Sequence, residues 1–257
     1  MSPDAVWPGL LLAAAFAGFV DAVAGGGGLI QVPALFAGLP REAPATLLGT
    51  NKLASIFGTL NAARRYAREV TMPWTVVLPT ALAAFAFSFC GAALAAWLPK
   101  EVMRPLVLVL LIAVAAYTLW RPDFGARVGA PVADERRLRW LALAAGMLLG
   151  FYDGVFGPGA GSFMIFAFVR LFGMDFLHAS ASAKVVNAAT NAGALLLFAP
   201  TGHMLWALGL GMAACNIVGA QFGARLAIRH GSGFVRAVFL VMTALLIAKI
   251  GWDTFAV

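Results

Sequence analysis

Residues 74–98 read WTVVLPTALAAFAFSFCGAALAAWL, without a charged side chain from end to end. A helix that crosses a bilayer needs about 20 predominantly apolar residues, so this run is long enough to span. Residues 105–120, 185–200 and 204–224 are likewise uncharged. Of the 257 residues, 62% are hydrophobic and 11% charged, a composition outside the range of water-soluble domains. The chain is therefore expected to be an all-α integral membrane protein with the lipid bilayer as its surroundings. Residues 5–20 are apolar but lack a basic leader, and an Asp and four glycines follow; they read as membrane segment rather than as a cleaved signal peptide.

The formal charge of +7 is carried mostly by arginines in short loops between apolar runs, with no basic patch interleaved with aromatics. That distribution points to membrane topology and away from nucleic acid. Cys90 and Cys215 lie in separate apolar runs, and no metal-ligand spacing, nucleotide-binding loop or nucleophile–base set is visible. No metal and no cofactor are expected, and the chain is not expected to be an enzyme.

Shifting the sequence by 132 residues lays GFVDAVAGGGGLIQVP, from Gly18, over GFYDGVFGPGAGSFMI, from Gly150, without a gap. Asp21 then coincides with Asp153, Gly25 with Gly157, Gly27 with Gly159 and Lys52 with Lys184. Apolar coincidences are cheap in this composition, but an Asp, two glycines and a Lys recurring in register are not. The expected organisation is a first transmembrane repeat over residues 8–122, a cytoplasmic linker over 123–137 and a second repeat over 138–253. Each repeat holds a Gly-interrupted segment and three further helices.

After the glycines about 11 residues remain before the next loop, near 16 Å of helix, or half of a bilayer core about 30 Å thick. The segment is either a broken crossing helix or a re-entrant hairpin. The positive-inside rule favours the hairpin in the second repeat, because it gathers Arg170, Arg225, Arg229 and Arg236 on the side of the arginine-rich linker. The first hairpin follows from the repeat. A hairpin plus three crossings is an odd number, so the fold class expected is two inverted repeats, each with a re-entrant segment and three transmembrane helices.

The candidate site follows from this arrangement. Glycines allow a positive φ and leave the backbone bare toward a ligand. The helix that resumes after them offers free N–H groups and the positive end of its dipole, a setting for an anion. The candidate binding residues are Gly25, Gly26, Gly27, Gly28 and Gln31 in the first repeat, and Gly157, Gly159, Gly161 and Ser162 in the second. Lys52 and Lys184, each expected about six residues into an apolar helix, supply positive charge. Asn51 and Ser55, with Thr50 and Thr59 nearby, flank the first Lys; Asn187 and Asn191, with Ser180 and Ser182, flank the second. Asp21 and Asp153 are either ion-pair partners of the lysines or carriers of a coupling proton. Tight helix packing by glycine and snorkelling of lysine are the competing structural readings. His178, His203 and His230 are expected to be interfacial.

The paired FVDAVAGGGG and FYDGVFGPGAG stretches, each followed by a lysine in GTNKLASIFGT or ASAKVVNAATN, resemble the TauE/SafE family of membrane transporters over essentially the whole chain. The resemblance implies a bacterial inner-membrane permease, usually assigned to export, for small sulfur-containing or organic anions such as sulfite, sulfoacetate or other organosulfonates. It would work as a secondary transporter by alternating access, with protons as possible coupling ions and a homo-oligomer possible; an uptake permease or an anion channel is the alternative. The second repeat departs from the first at Pro158, Ala160 and Ala183, where the first has Gly26, Gly28 and Asn51, so the two half-sites are expected to be unequal.

Overall fold

The computed structural model describes residues 3–98 and 134–255, with side chains over 6–98 and 134–241. The apolar run 105–120, the end of the first expected repeat and most of the linker 123–137 lie outside the described residues. Within them the order is α1 (Pro3–Ala24), α2 (Gly28–Gly38), α3 (Pro44–Glu69), α4 (Trp74–Trp97), α5 (Glu135–Val155), α6 (Ala160–Phe172), α7 (Phe176–Phe198) and α8 (Trp206–Phe255). No strand occurs among the described residues. Among the described residues four stretches are long and apolar enough to cross a membrane: Val6–Ala24, Trp74–Trp97, Glu135–Val155 and Trp206–Val241. Large apolar side chains face outward on these helices, Leu12 being 73% exposed, Leu82 63% and Leu148 74%, as a lipid-facing belt requires.

Local chemistry sets the boundaries. Pro44 starts α3 after an extended Ala43, the position where a missing N–H costs nothing. Asp134 and Asp175 cap α5 and α7 with their carboxylates. Gly173 ends α6 in the left-handed region. The 50-residue α8 is interrupted at Gly231, where φ is 71° and ψ is −166°, so it is two helices end to end rather than one long rod.

The two interrupted segments fold back on themselves. A methyl group on Gly38, at the end of α2, would lie 2.7 Å from Val6 near the start of α1, so α2 runs antiparallel along α1. In the second segment Phe163 of α6 meets Tyr152 of α5 edge to face at 5.5 Å. A groove of about 410 Å³ between α5 and α6 is lined by Leu148, Leu149, Phe163, Phe166 and Leu171 among others; its apolar walls suit acyl chains, not an anion.

The halves of the sequence interlace. α1 packs along α8, and α5 along α4. Glycines bring these pairs to backbone contact: Gly219 and Gly223 of α8 lie on the carbonyls of Ala15 and Phe19, and Gly150 and Gly154 of α5 on those of Ala84 and Ser88. Close approach through small residues at four-residue spacing is the usual packing device where lipid supplies no hydrophobic drive. α3 and α7 pack against each other at the centre, α3 also against α8 and α7 against α4. Each half therefore completes the other.

Candidate functional site

The two glycine turns meet. Gly25 has φ +75°, and a methyl group on it would lie 2.3 Å from the carbonyl carbon of Gly161. Reciprocally, a methyl on Gly161 would lie 2.5 Å from the carbonyl oxygen of Gly25. Gly28 sits against Pro158. The sequence-equivalent of Gly25, Gly157, also has a positive φ, +93°, which only glycine adopts without strain. The next equivalent pair differs, Gly159 being left-handed while Gly27 is helical at φ −57°. Among the described residues the amides of Gly26, Gly27, Gly28, Gly161 and Ser162 have no hydrogen-bond acceptor, as first-turn amides lack one by construction.

Lys52 and Lys184 lie on the helices that follow, eight residues past the first residues of α3 (Pro44) and α7 (Phe176), deeper than the six expected. Both are buried, at 2% and 0% exposure, so neither snorkels. Each is paired with the Asp of the opposite half. Lys52 Nζ lies 2.6 Å from Asp153 Oδ1, and Lys184 Nζ lies 2.8 Å from Asp21 Oδ2 while also donating to the Asp21 carbonyl. The crossed partners are the same residues in the repeat register. A methyl on Gly157 would stand 3.3 Å from Lys52 Nζ and 3.4 Å from Asp153 Oδ1, so the bare turn lies directly on the ion pair.

The expected polar faces assemble only in part. Asn187 donates to Asp153 Oδ2 at 3.4 Å, and Asn191 and Thr59 both donate to Asn187 Oδ1 at 3.4 Å. Asn187, Asn191 and Thr59 thus form one network with the Lys52 pair. Ser162 donates to the Ala24 carbonyl at 3.0 Å, and Ser180 to that of Val23 at 2.9 Å. Thr50 turns back to Thr46, and Ser182 contacts the sulfur of Met174. Ser55 is half-buried, and its carbonyl accepts from Thr59. Gln31 points elsewhere, accepting from Asn216 of α8 at 3.2 Å, with its own Nε2 buried and unpartnered. Asn51, next to Lys52, has an unpartnered buried Oδ1.

Three participants were not anticipated from sequence. Tyr66 donates to the Ala22 carbonyl at 2.9 Å, and Tyr152 to that of Pro158 at 2.7 Å. Asn216 bridges Gln31 and the Ala14 carbonyl; it is one of two amides in the uncharged run 204–224, with Gln221, which accepts from Asn61, and such amides in an apolar run signal buried polar partners. At the start of α7, His178 lies 2.5 Å from Asp175, which also accepts from Ser232 at 2.6 Å, just past the break in α8. Burial raises the Asp175 carboxyl, but the Ser232 hydroxyl and then the N–H and charge of His178 outweigh it and hold its pKa below the ordinary value. His203 and His230 bond locally, to Thr201 and to the Leu226 carbonyl.

Chemically, the centre holds two buried ammonium groups, each neutralised by a carboxylate, beside free backbone amides of both glycine turns. No group of His, Cys, Asp and Glu able to hold a metal occurs among the described residues. The chain matches the family model described as sulfite exporter TauE/SafE over residues 10–250. It is 37% identical over 247 residues to the probable membrane transporter protein YfcA of Escherichia coli K12, covering 95% of this chain and 89% of the relative. It is 38% identical over 244 residues to the probable membrane transporter protein ORF9 of Sinorhizobium sp, covering 94% and 90%. A probable membrane transporter protein of Haemophilus influenzae is 36% identical over 242 residues, covering 92% and 91%. No solved structure matches the chain. A match over nearly the full length, by relatives that are membrane transporter proteins, joins the crossed ion pairs and the apolar spans in one assignment: the chain is a membrane transporter belonging to the TauE/SafE sulfite exporter family.

Proposed function

We propose that the chain is a secondary transporter that exports a small oxyanion, sulfite as in its family's name or a related organosulfonate, across the bacterial inner membrane by alternating access. In this reading residues 8–122 and 138–253 are inverted repeats joined by a cytoplasmic linker at 123–137, and the glycine turns are re-entrant tips near mid-depth. The observation that carries it is the crossed pairing of Lys52 with Asp153 and Lys184 with Asp21 against those turns. A buried ammonium must have a counter-charge. An arriving anion supplies one, and Asp21 and Asp153, the carboxylates it displaces, are the groups through which a coupling proton is exchanged during the cycle. The binding residues are Gly25, Gly26, Gly27, Gly28, Asn51, Lys52, Gly157, Gly159, Gly161, Ser162, Lys184, Asn187 and Asn191, with Gln31 and Ser55 at the margin.

The test is sulfite and methanesulfonate flux in proteoliposomes. Saturable flux that drives proton movement and shows counterflow is the expected result. Conductance far above carrier turnover would make the protein a channel, and flux unaltered by Lys52→Met would remove the ion pairs from the mechanism.

A further inference from the structure

The two ion pairs look alike in sequence and differ in chemistry. Around Lys52 the polar neighbours are side-chain donors: Asn187 on Asp153, then Asn191 and Thr59. Around Lys184 a main-chain acceptor joins the carboxylate. Its ammonium bonds both the carboxylate and the main-chain carbonyl of Asp21, in the last turn of α1, where the carbonyls of Ala22, Val23 and Ala24 follow. Tyr66, Ser180 and Ser162 converge on those three oxygens at 2.9, 2.9 and 3.0 Å. In the repeat register these three hydroxyl residues become Phe198, Leu48 and Ile30, so the second half cannot build the same cradle.

A helix C-terminus carries partial negative charge, and carbonyl, carboxylate and hydroxyl oxygens are what hard cations bind. Broken helices in transporters present their C-terminal ends to coupling ions and their N-terminal ends to anionic groups. We propose that the end of α1 is a monovalent-cation site whose resident cation is the ammonium of Lys184, and that Lys52 is the lysine that takes the anion. When Lys184 leaves, the Asp21 carboxylate and carbonyl lose their shared cation and draw in a replacement, either a proton or an alkali ion. The identity of Lys52 as anion ligand rests on the proposed function; the cation site does not.

The test uses the full-length protein in detergent and follows thermal unfolding while sodium or lithium replaces choline at constant ionic strength, and separately across pH. Lys184→Ala should gain a saturable alkali-ion stabilisation, absent in wild type, in Lys52→Ala and in Lys184→Ala/Asp21→Asn. If the replacement is a proton, Lys184→Ala should instead become more stable, relative to the double variant, as pH falls. The titratable groups facing Asp21 are Lys184 from α7 and, through the Ala22 carbonyl, Tyr66 from α3; Tyr66→Phe in the same background separates its part. If Lys184→Ala fails to fold, recovery of monodisperse protein by sodium, lithium or methylammonium supports the site, and failure of all three overturns it. Lys52→Ala gaining the same stabilisation, or neither ion nor proton acting on a folded Lys184→Ala, also overturns it. Loss of sulfite binding in Lys52→Met reports on the proposed function and leaves this result untouched.

Discussion

Replacing Lys52 by Met removes the only cation within 4 Å of Asp153 among the described residues. The carboxylate keeps one long hydrogen bond, from Asn187 at 3.4 Å, in a setting where both side chains of the pair are 2% exposed. At an effective dielectric constant of about 20, charges 2.6 Å apart attract by about 6 kcal/mol, most of which offsets desolvation. Breaking such a pair from one side costs about 3–5 kcal/mol, whereas removing both charges is often close to neutral. Lys52→Met and Asp153→Asn should each lower the unfolding midpoint by on the order of 10 °C, and the double variant by no more than either single change. The coupling energy from the cycle, read by thermal unfolding in detergent, is expected at about 3 kcal/mol or more. The decisive control pairs Lys52→Met with Asp21→Asn, carboxylate of its own half: those two should add. Additivity in the Lys52–Asp153 cycle, or coupling in the control instead, would refute the crossed arrangement.

Three further outcomes follow from named contacts. Gly25→Ala should yield no folded protein, because it combines a φ of +75° with a methyl 2.3 Å from the Gly161 backbone; Gly202→Ala, at the same φ with open space around it, should cost only the strain, about 1 kcal/mol, in the same unfolding assay. Asp175→Ala removes the α7 cap and should cost about 1 kcal/mol at neutral pH. Since the folded-state pKa of Asp175 is lowered, its contribution is present above the unfolded pKa and lost as pH falls through the folded one, so wild-type and variant unfolding curves should converge in acid. Asn216→Leu leaves Gln31 buried without its one donor and should destabilise by about 1–3 kcal/mol, with Gln31→Leu/Asn216→Leu recovering part of it.

The membrane class and the placing of both lysines inside apolar helices were legible because each rests on compositional facts: uncharged runs, and charges where lipid penalises them. The crossed partners were not, because an alignment of Asp21 with Asp153 and Lys52 with Lys184 is equally satisfied by pairs within a half or between halves. Choosing between them needs the packing of α1 on α8 and α5 on α4, and its signal lay unread in Gly146, Gly150 and Gly154 and in Gly219 and Gly223, spaced four apart. The contact of Gln31 with Asn216 was not legible for a related reason. Its proximity in sequence to the glycines suggested the same site, but three residues along α2 turn a side chain by most of a turn, toward α8 rather than toward the lysines.

The interlacing also explains why the duplicated half-sites are free to diverge. If each Lys were paired within its own half, a change in one copy would alter a complete and independent site. With crossed pairs, the carboxylate of one half and the ammonium of the other share one environment, so the surroundings of α1's end are set by Tyr66 of the first half together with Ser162 and Ser180 of the second. The mirror environment at Asp153 is set by Asn187, with Thr59 and Asn191 behind it. At the end of α1 the side-chain donors meet main-chain carbonyls, and at Asp153 a side-chain donor meets the carboxylate itself, while both crossings keep the same Asp and Lys. In the proposed reading a substrate anion at Lys52 and a cation at Asp21 use these two unlike surroundings, both a few residues from a single backbone contact, that of Gly25 with Gly161.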